Sequence, residues 1–139
     1  MSDRPSYRPI PVESTAPHLQ MEDPEPVEAR RATRRLLAQA SLDHETEEGL
    51  VGAVSEVVTN AVLHGAPPVR VLGWAQDGQA VITVTDQGNG PADPEAGLQP
   101  ASRRPGEGGF GLWLAHQMCR EVTMGRHADG FTVRLVAQP

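Results

Sequence analysis

Glu56-Val-Val-Thr-Asn60-Ala-Val-Leu-His64-Gly65 is the stretch that decides how this chain folds. Leu50, Val54, Val57, Val58 and Ala61 recur at helical spacing ahead of and within it, which predicts a helix with one apolar stripe. Successive helical residues turn by about 100°, so Glu56, Asn60 and His64 fall in one line beside that stripe. They sit at the margin of the core, where a side chain can be half-buried and still reach a cleft. Asp43 is placed to cap the helix start, with Glu47 near the reciprocal position of a capping box. Gly65 ends the helix and Pro67-Pro68 keeps it ended.

Working outward, two strands follow, Val69 to Ala75 and Gln79 to Thr85, joined by the hairpin signal Gln76-Asp77-Gly78. The second strand, with Val81, Ile82 and Val84, runs into Asp86-Gln-Gly88-Asn-Gly90. Residues 91 to 108 are rich in Pro, Gly and Arg, and read as a flexible loop. It closes on Gly106-Glu-Gly108-Gly109-Phe110-Gly111-Leu112, a glycine-rich segment that passes directly into an apolar helix from about Phe110 to Arg120. Backbone N–H groups at such a helix start form a phosphate site. In that helix Leu112, Trp113, Ala115 and Met118 are expected to pack. Two strands, Glu121 to Arg126 and Phe131 to Val136, finish the chain around a turn at Ala128-Asp129-Gly130.

Towards the N-terminus, a short strand over Pro17 to Met21 precedes a helix that starts at Pro24 and Pro26. Glu22, Asp23, Glu25 and Glu28 suit the positive end of its dipole. Val27, Ala32, Leu36, Leu37 and Ala40 form its apolar stripe, with Arg30, Arg31, Arg34 and Arg35 elsewhere. Residues 1–15, with Pro5, Pro9 and Pro11, are expected to be a disordered tail ahead of one domain over 16–139. The elements add up to an α/β two-layer sandwich, a mixed and mainly antiparallel sheet with helices on one face.

Composition removes competing chemistries. All twelve positive residues are arginine. Without lysine there is neither a P-loop nor Schiff-base catalysis. A net charge of −6 argues against direct nucleic-acid binding. The single Cys119 excludes an internal disulfide. No apolar run approaches the ~20 residues of a membrane span, and Met1-Ser-Asp-Arg-Pro5 does not read as a signal peptide. A cytoplasmic protein is expected.

In this order, the three quoted stretches resemble the N, G1 and G2 boxes of the GHKL ATPase superfamily, and within it the bacterial anti-sigma factor serine/threonine kinase family. The resemblance covers residues 16 to 137 and implies a Bergerat-type ATP-binding fold with ATP and Mg²⁺ as cofactors. It implies that Asn60 holds Mg²⁺ against the phosphates, through an oxygen ligand of the hard type this ion prefers. Glu56 would be the general base towards a serine or threonine hydroxyl. Asp86 would accept a hydrogen bond from the adenine amine, with Gly88 and Gly90 letting the backbone pass close to the base. Gly106, Gly108, Gly109, Phe110, Gly111 and Leu112 would cradle the phosphates, and Arg103 and Arg104 would add charge beside them. Thr132 would support the adenine site. His64 completes the Asn-Ala-x-x-His-Gly pattern, though it reads equally as a structural helix-end residue. Arg30 would contact partners, a sigma factor and an anti-anti-sigma (STAS-type) protein, and a homodimer is possible. The loop between Gly90 and Gly106 departs from the Thr/Ser-rich or lysine-bearing lids of some relatives. The alternative is a non-catalytic regulatory module, with or without nucleotide, that acts by partner capture.

Overall fold

The computed structural model describes residues 13, 15–88, 90, 115 and 117–138. Its elements are β1 (Leu19–Glu22), α1 (Pro26–Leu37), α2 (His44–His64), β2 (Arg70–Gln76), β3 (Gln79–Asp86), β4 (Glu121–His127) and β5 (Gly130–Ala137). The strands form one sheet in the order β1-β2-β3-β5-β4, every pairing antiparallel. This is the α/β sandwich the sequence predicts. Of the expected third helix to Arg120, Ala115, Gln117 and Met118 are helical, Cys119 and Arg120 form a bend that ends it early, and His116 with the residues up to Leu114 lies outside the described residues.

Alternation along the strands makes the two faces of the sheet different. Val71 and Ala75 of β2, Ala80, Ile82 and Val84 of β3, and Val133, Leu135 and Ala137 of β5 all belong to the buried core. Helix α1 packs on α2 and on β1 and β2, while α2 covers β3 and β5. The stripe predicted for α2 is the stripe found: Leu50, Val54, Val57, Val58 and Ala61 are all buried. Burying a side chain such as Leu50, which is fully enclosed, is worth roughly 1.5–3 kcal/mol.

Helix ends differ from expectation in detail. Asp43 Oδ1 accepts the Thr46 N–H at 2.7 Å, so Thr46 and not Glu47 occupies the reciprocal position on α2. Thr46 is not an acidic or amide residue, and no capping box forms there. The reciprocal contact occurs on α1, where the Glu25 N–H donates to Glu28 Oε1 at 3.4 Å. Val27, expected in the core, is 38% exposed. It lies in the first turn of α1, and Ala29 and Thr33 take up the buried positions. Thr33 tolerates burial because its hydroxyl donates to the Ala29 carbonyl at 2.7 Å. Met118, expected to pack, is 45% exposed.

The opposite face of the sheet carries Thr83 and Thr85 of β3, Thr132 and Arg134 of β5, and Trp74 of β2. The chain ahead of β1 crosses it. Trp74 Nε1–H donates to the Thr15 carbonyl at 2.9 Å, and Arg134 Nη2 pairs with Glu13 Oε1 at 2.8 Å. Arg134 also reaches Glu121 Oε1 at 3.3 Å.

Candidate functional site

Asp86 continues the core-facing series Ala80, Ile82, Val84, and so its carboxylate is delivered to the helix side of the sheet at the very end of β3. It is 6% exposed. Its Oδ1 accepts the Gly88 N–H at 2.6 Å and, more weakly, the Ala66 N–H at 3.4 Å. Burying a carboxylate requires such compensation. Its Oδ2 accepts no hydrogen bond from a described residue.

The end of α2 is fastened to this point. The Gln87 N–H donates to the Ala66 carbonyl at 2.8 Å, and Gly65 caps the helix with its N–H on the Ala61 carbonyl. Gly65 has φ of −91°, ordinary for any residue. Glycine is required for space: a Cβ there would lie 2.5 Å from Asp86 Oδ1. Gly88 is similarly constrained, since its Cβ would come 2.9 Å from the same oxygen.

Glu56 and Asn60 are on α2, half-buried, and make no hydrogen bond to a described residue. One helical turn separates them, and about 7 Å of helix axis separates Asn60 from the Gly65–Asp86 junction. One helix thus carries a carboxylate and an amide with no partner among the described residues, and its C-terminal end is joined to the Asp86 turn. His64 is exposed in the last turn of α2.

Thr132 is not part of this group. Its partner across the sheet is Thr85, and the two hydroxyls are 2.7 Å apart. Thr85 and Asp86 are consecutive in a strand and project to opposite faces, so Thr132 stands behind the sheet from Asp86. The register therefore puts Thr132, expected beside the adenine, on the face of the sheet away from Asp86. His127 Nε2 completes the rear cluster by bonding Thr132 Oγ1. The β5 residue opposite Asp86 is Phe131, 3% exposed. Sequence reasoning missed Phe131, because β3 and β5 are not joined by a hairpin and no turn in the sequence sets the register that pairs it with Asp86. It also missed Gln87, whose side-chain N–H donates to the Asp129 carbonyl at 2.6 Å and ties the β4–β5 turn to the Asp86 loop. A lone His127 offers no spacing signal at all.

Arg30 is exposed on α1 and reaches Ser55 Oγ of α2 at 3.4 Å. Arg34 pairs with Glu48 at 3.0 Å. Gly106, Gly108, Gly109, Phe110, Gly111 and Leu112, with Arg103, Arg104 and Trp113, lie outside the described residues. Among the described residues no helix is long and apolar enough to cross a membrane.

A buried, ionised carboxylate is a hydrogen-bond acceptor, complementary to a ligand that offers a donor. Residues 22–137 match the model of a family described as the histidine kinase-like ATPase domain. An anti-sigma F factor from Pasteuria penetrans is 40% identical over 78 residues, covering 52% of each chain. The chain thus spans about half the length of that relative. A crystal structure of the RsbU and RsbW domains of Rv1364c from Mycobacterium tuberculosis superposes with a TM-score of 0.62 at 25% identity. The superposition covers 89% of this chain and 32% of that one.

Proposed function

The chain belongs to the histidine kinase-like ATPase domain family, and on that premise we propose that it is an ATP- and Mg²⁺-dependent serine/threonine protein kinase acting as an anti-sigma factor. In this reading it phosphorylates an anti-anti-sigma protein and sequesters a sigma factor. The observation that carries the nucleotide part is Asp86: buried, held through Oδ1 by two backbone N–H groups, with Oδ2 unbonded among the described residues. Adenine presents an amine donor to such an acceptor, whereas guanine presents a carbonyl that repels it. The anti-sigma part is supported by the likeness to the anti-sigma F factor and to the RsbW-containing structure.

Asn60 fits a Mg²⁺ ligand, because its amide is half-buried, uncommitted among the described residues and of the hard-oxygen type. When bound, the ion would neutralise phosphate charge. Glu56, one turn earlier on the same helix line, would accept the proton of the substrate hydroxyl as that oxygen bonds to the γ-phosphorus and ADP leaves. Such general-base help is worth on the order of 10²–10⁴ in rate. The segment 106–112 supplies backbone N–H groups to the phosphates, and Arg30 with its neighbours on α1 meets the protein partners.

The test is a calorimetric titration with ATP, with and without Mg²⁺, followed by incubation with a candidate anti-anti-sigma protein and radiolabelled ATP. Saturable, Mg²⁺-dependent binding and label on a serine or threonine of the partner are expected. Absence of heat at millimolar ATP would refute the nucleotide reading. Binding without transfer would leave a partner-capturing module.

A further inference from the structure

Asp86 and Phe131 are direct cross-strand partners at the ends of β3 and β5, both buried and both on the helix side of the sheet. Gly90 has φ of 74°, in the left-handed region that favours glycine. It rests on the Phe131 ring so closely that a Cβ would overlap ring atoms Cδ2, Cε2 and Cζ. Two described residues after β3 are thus held: the Gly88 N–H is tied to Asp86 Oδ1, and Gly90 bears on the aromatic ring. The Phe131 side chain has no donor or acceptor. At this place β5 contributes an apolar surface, and the neighbouring acceptor on β3 is the Asp86 carboxylate.

We propose that Phe131 is the positioning residue for Asp86: its ring stands beside the carboxylate on the paired strand and bears Gly90 on its face, and so sets the aim of Asp86 Oδ2. Thr132, on the other face, takes no part. The inference rests on the nucleotide reading above and names the residue on β5 through which that reading operates. A cross-strand partner is the natural place for such control. Its Cβ stands roughly 4.5–5.5 Å from that of Asp86, nearer than anything on a neighbouring strand's opposite face.

The experiment compares two ligands by calorimetry, ATP and purine riboside triphosphate, which differ only in the 6-amino group that Asp86 would read. Three proteins are measured: the unaltered chain, Phe131→Leu, which keeps the position apolar and nearly filled, and Thr132→Val, which is isosteric. The unaltered chain is expected to prefer ATP by about tenfold or more, the scale of one hydrogen bond to a charged group. Phe131→Leu is expected to narrow that preference to under about threefold on the same scale, while Thr132→Val preserves it. A purely structural role for Phe131 would weaken both ligands alike and leave the ratio intact, and that result overturns the proposal. So does a lost preference in Thr132→Val. Should Phe131→Leu fail to fold, Phe131→Met carries the same comparison. If the unaltered chain shows no preference, the assignment of Asp86 falls and the role of Phe131 with it. If it shows the preference and Phe131→Leu shows it equally, the role of Phe131 alone falls.

Discussion

Gly65 and Asp86 touch: the backbone that ends α2 lies so close to the carboxylate that ends β3 that a methyl group at position 65 would sit 2.5 Å from Asp86 Cγ and Oδ1. The same methyl would be 2.6 Å from the Ala61 carbonyl. The helix carrying Glu56 and Asn60 is therefore registered on the strand carrying Asp86 through this close approach together with the Gln87–Ala66 hydrogen bond.

Gly65→Ala must move either the helix end or the carboxylate. Overpacking of this kind costs about 1–3 kcal/mol. We expect a lower unfolding midpoint in urea and at least a severalfold loss of ATP affinity. A variant with unchanged stability and affinity would mean that the contact relaxes freely and registers nothing.

Asp86→Asn separates the two jobs of the carboxylate. The amide oxygen can still accept the Gly88 N–H, but the other position becomes a donor facing the adenine amine. Affinity for ATP is expected to fall by about 1.5–3 kcal/mol, with stability less affected than in Asp86→Ala, which also strands a backbone donor. Equal ATP binding by Asp86→Asn and the unaltered chain would remove Asp86 from the base site.

Glu56→Gln and Asn60→Ala should divide chemistry from metal. Glu56→Gln keeps the size of the side chain, so nucleotide binding should stay within about twofold while phosphotransfer drops at least about a hundredfold. Asn60→Ala should remove the dependence of ATP affinity on Mg²⁺. Transfer at the normal rate by Glu56→Gln would show that another group takes the proton.

Much of this arrangement was legible in the sequence because it depends on local periodicity. The 3.6-residue repeat from Leu50 to Ala61 identified α2 and its buried face, and with it the line of Glu56 and Asn60. The hairpin signals at Asp77-Gly78 and Asp129-Gly130 located four strands. Sequence reading failed where register decides. Thr132 and Phe131 are adjacent, and one step along β5 exchanges the face behind the sheet for the face beside Asp86. Gly65 was read as a helix-ending residue, which it is, but its need for space arises from Asp86, 21 residues away, and no local pattern encodes that. Tertiary contact likewise gave Glu13, within the expected tail, an ion pair with Arg134.

That ion pair yields a stability prediction. The Arg134 side chain is only 11% exposed, its Nε has no hydrogen-bond partner, and Glu13 with Glu121 provides its charge compensation. Removing Glu13 leaves a largely buried guanidinium less well paired. Glu13→Ala is expected to cost about 1–3 kcal/mol, measured by urea unfolding. Glu121→Ala should cost less, because that carboxylate is about half exposed and its contact is longer. If Glu13→Ala matches the unaltered chain, the segment ahead of β1 adds nothing to the fold.

Cys119 gives the clearest dependence on pH. Its thiol is 9% exposed, and burial pushes its pKa up to about 12. The folded state thus holds the thiol proton more tightly than the unfolded chain does. The stabilisation is fully present below the ordinary thiol range and is lost as pH rises through that range towards about 12. The chain has no lysine and one tyrosine, Tyr7, so few other side chains titrate in this window. Unfolding free energy should therefore decline above about pH 9, and Cys119→Ser should flatten much of the decline. Alkylation by iodoacetamide at pH 8 should be slow in the native protein and fast in urea, because only the opened chain presents a thiolate. Rapid alkylation of the native protein would show that the C-terminal end of the segment around Ala115 does not bury this thiol.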